Sequence, residues 1–135
     1  MNKFLTSINN ELPEARNRTY AFNLATLRQL VLVVFSEDKT VIPKETAWFG
    51  SEIPQDLQLG SGNSQIPIGV TNSVPDRVVV PMRFQRIYLE DWIGLRRLDQ
   101  RRAIRFETCD GEHMQLGNCW EDIVRKYVGG PMLVM

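Results

Sequence analysis

The 135-residue sequence predicts an α/β fold. Three observations carry that reading. Leu30 to Phe35 reads LVLVVF, a near-continuous valine-rich run of strand length, which suits a strand covered on both faces in a parallel sheet flanked by helices. Its β-branched content favours strand over core helix. A second extended segment follows at Ala103 to Thr108, and apolar residues recur at helical spacing before, between and after the two. The order of helix, strand, loop with a hairpin-like insertion, helix, strand and helix is that of an α/β sandwich.

Residues 3–10 predict a short helix ending near Pro13. Asn17 to Thr19, NRT, is an N-glycosylation sequon, meaningful in a chain that enters the secretory pathway. Tyr20 to Gln29 predicts a helix with Phe22, Leu24, Leu27 and Leu30 along one stripe. After the 30–35 strand, SEDKT is a polar turn, followed by VIP and a loop carrying Trp48 and Phe49 and closed by Gly50. Residues 51–73, which include LGSGNSQIPIGVTNS, read as a Gly/Ser-rich loop or insertion. Arg77 to Met82, RVVVPM, predicts a strand that Pro81 confines to an edge or an end, and FQRIYL is expected to continue extended.

Glu90 to Arg102 predicts a helix with Trp92, Leu95 and Leu98 at helical spacing, although Gly94 costs about 1 kcal/mol there relative to Ala. Leu116 to Val128 predicts an amphipathic helix with Trp120, Ile123, Val124 and Tyr127 on one side, stopped by Gly129 and Gly130. No segment repeats.

Composition narrows the function. Lys plus Arg number 16 and Asp plus Glu number 16, so no net field draws the chain to nucleic acid or to an anionic membrane. The basic cluster Arg96, Arg97, Arg101, Arg102 and Arg105 lies among Glu90, Asp91, Asp99 and Glu107 and reads as a solvated helix face. No apolar run approaches a membrane span, and the opening MNKFLTSINNELPE lacks the apolar h-region of a signal peptide. The single histidine gives no second imidazole for a metal site. Cys109 and Cys119 flank His113, and the spacing is compatible with a bridge across that loop or with two buried thiols.

In open α/β sheets ligands bind beyond the carboxyl ends of the strands. Asp38 stands three residues after Phe35, and His113 a few residues after Cys109. If the two strands are parallel neighbours, about 4.8 Å apart, both side chains meet above the sheet edge. A carboxylate on one imidazole nitrogen fixes the tautomer and leaves the other nitrogen to take a proton. On spacing alone Glu37 is an equally good acid, and a surface histidine beside a turn aspartate is the plain alternative. A base also needs a nucleophile, and the G-x-S-x-G elbow does not occur in these 135 residues.

FLTSIN, NRTYAFNLATL, VVFSEDKTVIPKETAWFG, YLEDWIGLRRLD and CDGEHMQL stand in that order. In them the chain resembles the C-terminal half of a palmitoyl-protein thioesterase, a lysosomal α/β-hydrolase. The resemblance implies that residues 1–135 are a partial α/β-hydrolase domain: the C-terminal half of the sheet with flanking helices, carrying an insertion at about 51–73. It implies that Asp38 and His113 are the acid and base of a Ser-Asp-His triad, with the spacing to Phe35 and Pro43 choosing Asp38 over Glu37. It further implies that Asn17 is a glycosylation site and that Val41, Ile42, Trp48 and Phe49 lie near the acyl-binding region, although packing is the expected job of the two aromatics.

The implied reaction is hydrolysis of fatty-acyl thioesters on protein cysteines, that is depalmitoylation, with no metal or other cofactor, in the lysosome or secretory pathway. The expected partners are palmitoylated proteins and the missing N-terminal half of the domain, which would bring the serine; the chain alone is expected to be inactive. The alternative is a non-enzymatic fragment or interaction module.

Overall fold

The computed structural model describes residues 3–53, 71–74, 77–117 and 119–128. The chain enters through helix α1 (Lys3–Ile8), a 3-10 turn (Pro13–Ala15) and helix α2 (Arg18–Ala25). Asn17 caps α2: its Oδ1 accepts the Thr19 N–H at 2.9 Å, satisfying one of the donors a helix start leaves orphaned. The helix is shorter than the predicted 20–29 at its far end, where the Thr26 N–H turns back to Phe22 O.

Strand β1 (Leu30–Phe35) follows as predicted, then a 3-10 segment (Lys44–Trp48) and the short strands β2 (Ser51–Glu52), β3 (Thr71–Val74) and β4 (Arg77–Val80). β4 pairs antiparallel with β2 and β3, so the predicted insertion at 51–73 has strand at both ends; most of it lies outside the described residues. Pro81 ends β4, as a residue without an N–H to donate should.

FQRIYL does not continue extended. A 3-10 turn (Met82–Phe84) leads into helix α3 (Arg86–Leu89). Here the chain satisfies its backbone locally: Phe84 N–H bonds Pro81 O, Gln85 N–H bonds Met82 O, and the Tyr88 and Leu89 N–H groups both reach Gln85 O. Ile87 and Tyr88 are thereby turned onto the core.

The predicted 90–102 helix also contracts, to α4 (Leu95–Gln100). Gly94 sits at its N-terminus with φ 92°, a conformation that side chains disfavour. A Cβ there would lie 2.3 Å from Ala21 O, so only a residue without a side chain lets α2 approach the start of α4 here. Asp91, three residues before this N-cap glycine, serves the start of α4: its Oδ1 accepts the Arg96 N–H at 2.9 Å. Strand β5 (Ile104–Cys109) and helix α5 (Cys119–Tyr127) complete the described chain. The glycines expected to stop α5, Gly129 and Gly130, lie outside the described residues.

β1 and β5 form a parallel pair in register from Leu30↔Ile104 to Phe35↔Cys109. The core lies on one face of this pair, where Met82, Leu95, Leu98, Ala103 and Ile104 are buried together and Leu30, Leu32, Phe49 and Ile87 pack against them. Asn10, only 2% exposed, is a polar clasp: Oδ1 accepts the Asn17 N–H, and Nδ2 donates to the Asn17 and Trp92 carbonyls. It joins the α1 turn to the start of α2 and to the turn before α4. The result is a mixed α/β arrangement with a parallel and an antiparallel sheet and flanking helices.

Candidate active site

Because Phe35 and Cys109 are register partners, the two strands stop side by side. The turns that leave them are stitched together. Ser36 N–H bonds Cys109 O at 2.8 Å and Glu37 N–H bonds Gly111 O at 2.9 Å, while the Gly111 N–H donates to Ser36 Oγ at 3.3 Å. Lys44 Nζ closes on Ser36 O at 2.6 Å.

Asp38 and His113 stand opposite each other above these stitched turns. His113 Nδ1 and Asp38 Oδ2 are 2.8 Å apart. The other carboxylate oxygen, Oδ1, accepts the N–H groups of Thr40 at 2.9 Å and Val41 at 3.0 Å. The carboxylate is therefore oriented by the backbone of its own turn before it meets the ring. The Val41 N–H, and after it the His113 side chain, hold the Asp38 carboxyl below its ordinary value, so it stays ionised well into acid. An ionised carboxylate at Nδ1 selects the tautomer with the proton on Nδ1, which leaves Nε2 basic. Nε2 makes no hydrogen bond among the described residues, and the His113 side chain is 37% exposed against 8% for Asp38. Such a pair can accept a proton at Nε2 from a nucleophile and hold the imidazolium that results.

Glu37, the competing acid on spacing, contributes its main-chain N–H to the stitch, whereas it is Asp38 that faces His113. Val41 and Ile42 sit directly after the acid and are 37% and 54% exposed. Trp48 and Phe49 are engaged in packing. Trp48 Nε1 donates to Leu32 O at 3.1 Å, and its ring stands edge-on to Phe106 with centroids 5.7 Å apart. Phe49 packs on the core. Trp48 and Phe106 line a cleft of about 360 Å³ that includes neither Asp38 nor His113.

Asn17 lies at the start of α2 with its Oδ1 engaged by Thr19 N–H, and Nδ2 makes no hydrogen bond among the described residues. Cys109 and Cys119, left open by spacing, are joined as a disulfide. Ser36, Lys44 and the cross-turn backbone bonds escaped the sequence reading. They act through main-chain geometry, for which a lone serine or lysine in a polar turn is no signal.

Among the described residues, no cluster of three or more His, Cys, Asp or Glu side chains is arranged to hold a metal ion, and no helix is long and apolar enough to cross a membrane.

The profile of the family described as palmitoyl protein thioesterase matches residues 1–113, a span that takes in both Asp38 and His113. Over 126 residues the chain is 35% identical to "Palmitoyl-protein thioesterase 1" of Caenorhabditis elegans, covering 92% of this chain and 35% of the relative. It is 38% identical over 110 residues to "Palmitoyl-protein thioesterase 3" of Dictyostelium discoideum, covering 82% of this chain and 31% of the relative. The chain thus spans about a third of the length of the curated relatives it matches.

Proposed function

The chain belongs to the palmitoyl protein thioesterase family, and from that premise we propose that it carries the acid–base half of a thioester-hydrolysing site. The observation behind this reading is the 2.8 Å contact between His113 Nδ1 and Asp38 Oδ2 at neighbouring strand tips. His113 Nε2 would take the proton of a serine hydroxyl as that oxygen attacks the thioester carbonyl, and would return it to the leaving thiolate. It would next take a proton from water as the water oxygen attacks the acyl-serine, and pass it to the departing serine oxygen, which frees the fatty acid and restores the hydroxyl. Asp38 holds the ring and stabilises its charged form. The nucleophile is the missing component: the 135 residues contain no G-x-S-x-G, and a base with neither nucleophile nor oxyanion donors has little to accelerate. The serine would come from a segment corresponding to the part of the relatives that this chain does not match.

Substrates of this reading are fatty-acyl thioesters such as palmitoylated protein cysteines, with Val41 and Ile42, exposed beside the acid, as candidate acyl contacts. No cofactor takes part. The sequon at Asn17, with its amide nitrogen unengaged among the described residues, and the disulfide both suit passage through an oxidising secretory compartment toward the lysosome. A second reading, a non-enzymatic interaction module, draws on the apolar side chains left exposed at Phe4, Ile8, Trp120 and Val124.

Co-expression separates the two. The chain alone is expected not to turn over a palmitoyl thioester. Combined with the part of the nematode relative it does not match, it should gain turnover that His113→Ala abolishes. Stable association without His113-dependent turnover would favour the interaction module.

A further inference from the structure

The imidazole rides on a loop that packing does not hold. Met114 and Leu116, flanking it, are 62% and 44% exposed. The following helix, α5, has no buried residue among those described. The segment is fastened by individual bonds instead. At its front are the two stitches from Gly111 to Ser36 and Glu37. Within it, Gln115 Oε1 accepts the Glu112 N–H, and the Gln115 N–H returns to Glu112 O. At the far end of α5, Lys126 and the Tyr127 hydroxyl both bond Glu107 of β5. Between these stands one covalent tie, from Cys109, the last residue of β5 and 1% exposed, to Cys119, the first residue of α5.

The bond joins residues ten apart, and His113 lies inside the ring it closes. One anchor is immobilised in the sheet, at the register partner of Phe35, three residues before Asp38. The other prevents the α5 end of the loop from drifting away from the strand tips. Cys119 lies beyond the span 1–113 of the family profile, while the match to the nematode relative, covering 92% of this chain, takes it in.

We infer that the Cys109–Cys119 disulfide is the positioning device for His113, replacing absent core packing by a covalent tether that keeps the ring over the tip of β1 and in reach of Asp38. The inference rests on the reading of Asp38 and His113 as an acid–base pair. Its physical content is separate: a general base displaced by even an ångström loses much of its effect, and an exposed loop without a tether samples many such displacements. Cys109 and Cys119 are positioning residues, and they touch no reacting atom.

His113 is the only histidine, so 15N-histidine labelling of the full 135-residue chain yields one ring whose two nitrogen resonances report the tautomer. In the oxidised chain the proton is expected on Nδ1, facing Asp38. A phosphine reduces the bridge to two thiols while itself taking an oxygen from water. The Nδ1–H signature should then be lost in favour of Nε2–H, matching the oxidised Asp38→Asn chain, and should return on reoxidation. Cys119→Ser should behave as the reduced chain does. Amide exchange on the same samples should show β1 and β5 still protected. The inference is overturned if the ring keeps Nδ1–H after reduction, or already shows Nε2–H when oxidised. Collapse of β1 and β5 protection together with the ring signal overturns it too, since the bond would then be a general staple of the fold. Failure of the thioesterase reading would appear elsewhere, as absent His113-dependent turnover in the assembled protein, and leaves the ring measurement unaffected.

Discussion

At the scale of single residues, the pair at the strand tips makes the chain sensitive to acid. The Asp38 carboxyl is held below its ordinary value by the Val41 N–H and His113, Asp99 is lowered chiefly by Arg83, and Glu90 is lowered to about 2 chiefly by Arg16. A carboxyl lowered by folding adds stability above its unfolded value, and that stability disappears as the pH falls through the folded value. The contributions are therefore complete at neutral pH, begin to fade near pH 4.5 to 3.8, the ordinary values for Glu and Asp, and are gone at about pH 2 for Glu90. Urea midpoints measured from pH 7 to pH 2 should fall across that window, and Asp38→Asn should lessen the fall. In an assembled active protein, Asp38→Asn should lower kcat by roughly 10⁴-fold, the size seen when a triad aspartate is replaced and the ring takes the wrong tautomer. That Asp38 and His113 would face each other was legible because a short polar turn follows each strand; the choice over Glu37 came from the family resemblance.

At the scale of elements, Gly94 reverses an ordinary expectation. In a helix interior, Gly→Ala stabilises by about 1 kcal/mol. Gly94 instead precedes α4 at φ 92°, with Ala21 O where its Cβ would go. Gly94→Ala should therefore destabilise by more than about 1 kcal/mol, read as a lower urea midpoint at unchanged slope. Leu98, fully buried against Met82, Ala103 and Ile104, should cost about 2–5 kcal/mol when replaced by Ala.

The elements whose pattern was strongest, β1 and β5, sit where the sequence placed them to within a residue. FQRIYL failed because so short a run suits either a strand or a helical turn, and the i, i+3, i+4 spacing of Phe84, Ile87 and Tyr88 went unused. The choice fell to which backbone partners lay within reach. Helix limits near 90–102 failed for a similar reason: the apolar spacing continues through a turn that the packing of α2 against Gly94 forbids to be helical.

For the whole molecule, the core occupies one face of the β1–β5 pair and large apolar side chains remain outside it. Phe4 is 68% exposed on α1 and Ile8 is 45%, while Trp120 and Val124 on α5 are 46% and 42%. Apolar surface of this kind drives association. The isolated chain should elute above its 15.6 kDa mass at high concentration and bind a hydrophobic dye while its sheet amides remain protected. Trp120→Lys should reduce both effects. Monomeric elution without dye binding at millimolar concentration would contradict the view that these faces are interfaces.

Sequence by itself determined the two strands, the polar turns that follow each and the residue types those turns present, because a short β-branched run bounded by polar residues fits a strand better than a helix. Tertiary structure alone decided which cysteine state joins β5 to α5, that the two strand tips lie side by side in register, and where Gly94 brings two helices together. Each of those depends on distances between segments far apart in the chain, down to the 2.8 Å that separates residues 38 and 113. Composition and periodicity carry no information at that range; register and close packing do.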